Sequence, residues 1–159
     1  MSLDDWILAL HLVASFAFVG AILGFWAMVV AAWRADRPGD VRAIFRLNPY
    51  LTATVAVGSV ATLVFGIWLA VSLDAYEVWD GWVIAAIVLW LVVGAAGQRA
   101  GAVYARAERR ADELLEAGSD GASPELRSLA RTRQGLVLHA IATIAAVLIL
   151  ADMIWKPGT

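Results

Sequence analysis

Charge in this chain is segregated, and that segregation limits what it can fold into more than any motif does. Twelve residues are basic, and all but Lys156 are arginines confined to two stretches, Arg34 to Arg46 and Arg99 to Arg133. Four uncharged, strongly apolar segments alternate with them: 6–33, 47–73, 81–98 and 134–151. An uncharged apolar run of about 18 residues or more is long enough to cross a bilayer as a helix. Hydrophobic residues make up 62% of the chain, against about 45–50% in a soluble domain. Mean hydropathy is correspondingly high, at +0.76.

The expectation is an all-α protein, an integral membrane four-helix bundle in one domain over 1–159, with spans near 6–33, 49–73, 81–105 and 134–155. The acidic start, Ser2-Leu3-Asp4-Asp5, lacks the basic region and small-residue cleavage site of a secretory signal, so the first segment is read as a retained helix. The sequence contains no cysteine, which removes disulfides, thiolate metal sites, iron–sulfur clusters and cysteine nucleophiles. No phosphate loop, GxSxG or HExxH occurs.

Turn chemistry divides the segments. Pro38-Gly39 marks a turn, and Asp40 is placed to cap a short helix to Arg46, read as interfacial because Val41, Ile44, Phe45 and Leu47 favour one side. Pro49 suits the first turn of the second span, which is expected to reach Leu73. The third helix should run past Arg99 toward Glu116 and leave the lipid beyond Arg106. Ser123 and Pro124 read as N-cap and first residue of a helix continuing through Arg133 into the last span, which Pro157 and Gly158 stop. Gly20, Gly24, Gly58, Gly97 and Gly101 are expected at helix contacts, since small residues let backbones approach.

Arginine asymmetry orients such a bundle. The arginine-rich stretches should be cytoplasmic and both termini outside, in the inner (plasma) membrane of a bacterium. Trp6, Trp79, Trp82 and Trp155 would then mark the outer interface and Trp33 the inner one. The bilayer is the partner this implies. A homo-oligomer or a membrane-protein partner is compatible with four short spans, and no nucleic-acid contact is expected.

An ionisable group within a span is the default functional candidate. His11 lies six residues after Asp5, about 9 Å below one boundary. Asp152 and Met153 lie about 5–6 Å below the same boundary, just before Lys156. His139 lies six residues after Arg133, about 9 Å from the other boundary and beside a wet loop. The two histidines therefore differ in depth by roughly 12 Å, which excludes them as paired axial ligands of one iron. Asp152 is also placed to pair with Lys156 one turn on. Asp152 and Met153 point about 100° apart, and the carboxylate is expected to be the inward one, because a charge facing lipid is costly. Arg106, Arg109 and Arg110 satisfy the orientation rule and can meet anionic head groups.

Two stretches carry a family resemblance. "LHLVASFAFVG" in the first span contains His11 and Gly20, and "LILADMIWKP" closes the last. Together they resemble small bacterial four-helix membrane proteins of unknown function related to the CopD copper-resistance domain and, more distantly, HemJ-type protoporphyrinogen oxidases. The HemJ-type resemblance implies haem b bound through a first-helix histidine, here His11, with a Lys-Pro ending at Lys156. The CopD-like side implies copper handling, for which the soft and imidazole donors here are Met1, Met28, Met153, His11 and His139.

Three function classes follow. The first is a haem b protein with a redox role, its cofactor held near His11, Asp152 and Met153 (His11 on the iron), with Lys156 and His139 as further candidates. The second is a non-enzymatic scaffold or accessory subunit. The third is metal or small-solute transport, for which the middle of the bundle offers chiefly Ser15, Ser59, Thr62 and Thr143.

Overall fold

The computed structural model describes residues 2–72, 77 and 79–156, and every regular element among them is helical. In chain order these are α1 (Leu3–Arg34), α2 (Pro38–Phe45), α3 (Asn48–Ser72), α4 (Gly81–Glu116), α5 (Pro124–Ala130) and α6 (Arg133–Trp155). Four helical stretches are long and apolar enough to cross a membrane. They correspond to the four expected spans. The end of the second span at Leu73 and the stop at Pro157 and Gly158 lie outside the described residues.

Local chemistry sets the helix boundaries. Ser2 and Asp5 form a reciprocal capping box that starts α1. At α2 the N-cap is Arg37, with Pro38 at the first position, so Asp40 lies inside the first turn rather than before it. At α5, Ser123 caps and its hydroxyl accepts from the Leu126 N–H. The expected unbroken helix from Pro124 into the last span is interrupted: Arg131 and Thr132 leave helical geometry before α6 begins. The break lets Arg131 turn back, its Nε donating to the Trp33 carbonyl at 2.7 Å.

The spans pack as two antiparallel hairpins, α1 with α3 and α4 with α6. Gly58 is the closest approach in the first. A Cβ there would lie 3.0 Å from the Phe18 nitrogen and 3.1 Å from the Ala14 carbonyl oxygen. Gly24 faces the Leu51 side chain. Gly20, Gly97 and Gly101 do not sit at contacts, for nothing approaches within 4 Å of their Cβ positions. They lie on exposed arcs of their helices, where backbone spacing is not decided.

Two apolar clusters join the hairpins. One, at mid-span, gathers Phe18, Ile22, Val93, Ala96, Ala142 and Ile149 from α1, α4 and α6. The other, at the arginine-rich end, brings α2 and α5 against α1 and α4. Phe45, Leu126, Val41 and Pro38 are the largest side chains fully sealed there. The expected interfacial helix is thus a packed one: α2 lays Val41 and Phe45 on α4 because a protein surface is within reach of its apolar side.

Candidate functional site

At the end opposite the arginines the hairpins part. All four spans line a cavity of about 510 Å³. That is within the roughly 300–1,000 Å³ typical of small-molecule sites. Its walls are mostly aliphatic, and its polar groups are few: Asp4, Asp5, His11, Ser15, Thr62 and Lys156. A narrower extension of about 40 Å³ reaches down to Phe18 and Ile149, where the mid-span cluster forms the floor.

His11 is the most tightly placed of these groups. Its Nδ1 lies 3.0 Å from the Thr62 carbonyl oxygen on α3. A carbonyl only accepts, so Nδ1 carries the proton and Nε2 keeps its lone pair. The approach depends on Gly66. In a regular helix the Thr62 carbonyl accepts from the N–H of Gly66, one turn on, and a side chain at that position would cover it. A Cβ at Gly66 would stand 3.1 Å from the His11 Cε1 and 3.4 Å from Nδ1. Ser15 completes the cluster. Its hydroxyl donates to the His11 carbonyl at 2.8 Å and lies 3.3 Å from the Thr62 hydroxyl.

The last span brings Met153 and Lys156 to the same cavity. Asp152 is not on the lining, and its Oδ2 is covered and has no hydrogen-bond partner among the described residues. Of the two, Met153 is the one on the cavity wall, carried there by the turn of α6 that places Ile149 in the core and Leu150 on the wall, while the Asp152 carboxylate is covered beside it. Lys156 adopts a left-handed conformation (φ 40°, ψ 62°) that ends α6, and its Nζ stands 5.5 Å from the centre of the Trp82 ring.

His139 belongs elsewhere. It is buried in α6 rather than beside a wet loop, with Trp26 edge-on at 4.7 Å and Phe25 at 6.1 Å between ring centroids. The Trp26 indole donates to the Thr143 hydroxyl at 2.9 Å, and that hydroxyl donates to the His139 carbonyl at 2.9 Å. Trp26 is thus a packing residue of α1 against α6. Neither cavity includes His139, in keeping with the depth argument that separates the two histidines. No group of three or more His, Cys, Asp or Glu side chains suited to a metal ion occurs among the described residues.

The sequence gives no cue to Gly66 by itself, and Thr62 stands out only as a mid-bundle polar residue. Their spacing of one helical turn is the signal that could have paired them, since it exposes a carbonyl to a histidine from another helix.

Fold and cavity together define a small four-span membrane protein with a ligand-sized chamber at one end. The chain belongs to the family described as "predicted integral membrane protein (DUF2269)", whose model matches residues 5–157. No curated protein and no solved structure matches it.

Proposed function

We propose that the cavity binds haem b, which His11 would hold through its iron, and that the protein serves a redox role in the bacterial plasma membrane. The observation that carries this reading is the His11–Thr62 hydrogen bond. A histidine whose Nδ1–H is held by a backbone carbonyl presents Nε2 in a fixed orientation, as metal-bound histidines do. The remaining surroundings fit the group. Aliphatic walls suit a porphyrin face, Met153 offers a soft sulfur, and Lys156 at the rim offers a cation to propionate carboxylates. The likeness of the first-span motif to HemJ-type proteins supports the same residue. Bound haem would supply one-electron chemistry; the chain itself supplies the ligand, its tautomer and an apolar enclosure.

The packed cluster beneath the cavity weighs against solute passage, because Phe18, Ile22, Val93 and Ile149 fill the path toward the arginine-rich end. That end is assigned to the cytoplasm by the positive-inside rule, which leaves the cavity open to the outer face. A cysteine placed at Ser119 should react with an impermeant label only after the membrane is opened. Reaction in intact cells would reverse the assignment.

The cofactor test is the visible spectrum of protein purified after haem supplementation. A Soret band is expected in the wild type and in His139→Ala, and none in His11→Ala. Gly66→Val should shift the band by displacing the His11 imidazole from the Thr62 carbonyl. A colourless wild type, or a band that survives in His11→Ala, rejects the proposal in favour of a scaffold role.

A further inference from the structure

Four of the eleven arginines form ion pairs, and the other seven form none among the described residues. Arg42, Arg110, Arg127 and Arg131 lie in ion-pair range of Asp112, Glu113, Glu125 and Asp36. On α4, Arg99, Arg106 and Arg109 are exposed and form no ion pair among the described residues. Ala95, Arg99, Ala102 and Arg106 follow one another at helical spacing along a single exposed face, while Ala96, Ala100, Val103 and Ala107 are buried on the other.

This face starts inside the membrane. Tyr104 packs on Gly135, where a Cβ would lie 2.7 Å from the ring, so Tyr104 is level with the first turn of α6. Arg99 lies five residues further in, about 7.5 Å deeper. Above it the same face continues as Val88 and Val92, which are 53% and 39% exposed and so present apolar surface to lipid. An arginine at that depth carries its guanidinium toward the head-group level, where an anionic group stabilises it. Arg99 and Arg106 stand seven residues, about 10.5 Å, apart on this face, so Arg106 leaning toward the helix N-terminus and Arg99 reaching back toward the head groups can converge on one phosphate.

We propose that this face of α4 binds an anionic phospholipid of the adjoining leaflet, with its phosphate held by Arg99 and Arg106 and an acyl chain along Val88, Val92 and Ala95. A guanidinium matches phosphate oxygens in a two-pronged hydrogen bond, and the small side chains of Ala95 and Ala102 leave room beside it. The site is independent of the cavity and of any cofactor there.

Native mass spectrometry of the full chain in detergent, titrated with phosphatidylglycerol or phosphatidylcholine, tests the site. The wild type should retain phosphatidylglycerol preferentially, and each arginine removed in R99Q and R106Q should weaken retention about fivefold. The double variant should show no preference, whereas R34Q/R133Q, which removes exposed arginines from other spans, should keep it. Inorganic phosphate should not displace the lipid. Equal retention of both lipids by the wild type, equal loss in R34Q/R133Q, or displacement by free phosphate overturns the proposal.

Discussion

The two ends of the bundle use the same four spans in opposite ways. At the arginine-rich end, α2 and α5 fill the space between the hairpins, and charged groups tie the outside of that layer together. Arg127 donates to Asp36 at 2.7 Å, and Arg110 bridges Glu113 and Glu125 at 2.9 and 2.8 Å. Asp120 accepts from the Gly39 N–H at 2.9 Å, linking the two arginine-bearing loops. At the opposite end no helix is inserted among the described residues, the hairpins diverge, and a chamber remains. The two inserted helices close the core at the arginine-rich end, and among the described residues no helix plays that part at the other.

The two ends should differ most at matched leucines. Leu126→Ala removes a fully sealed side chain and should cost about 2–5 kcal/mol, read as loss of unfolding free energy in detergent. Leu63→Ala, on the cavity wall, opens space that is already there and should cost about 1 kcal/mol or less. Equal costs would mean the chamber is not open in solution.

Glycines give the next largest contrast. Gly58→Leu drives a side chain into the α1 backbone and should destabilise by about 1–3 kcal/mol. Gly20→Leu meets nothing and should stay within about 0.5 kcal/mol of the wild type. A melting series in one detergent would rank the two, and the reverse order would refute the helix pairing.

The smallest effect expected is electrostatic. Hydrogen bonding from Arg127, with its charge and that of Arg131, holds the Asp36 carboxyl below its ordinary range. A group with a lowered folded value stabilises fully above the unfolded value of about 3.9, and that contribution is lost as pH falls through the folded value. The unfolding midpoint should therefore be flat near neutrality and decline in acid, more shallowly in Asp36→Asn. Identical acid profiles would remove Asp36 from the account. The pair is solvent-exposed, so high salt should also weaken it.

Sequence alone determined the spans, because apolar length and charge segregation act within each segment and need no partner. Ser123 and Pro124 were equally legible as a helix start, since capping is local. The depth of His11 and its separation from His139 followed from counting residues along a helix. What counting could not supply was rotation. Whether Asp152 or Met153 faces inward, and whether Gly20 or Gly58 carries a contact, depends on which arc of each helix meets a neighbour, and apolar residues surround these helices on every side. Lipid-facing and core-facing surfaces are then equally hydrophobic, so the usual amphipathic signal is missing. The pairing of His11 with the Thr62 carbonyl across Gly66 was decided by tertiary structure alone, because it joins residues 51 positions apart through a backbone atom that every residue possesses.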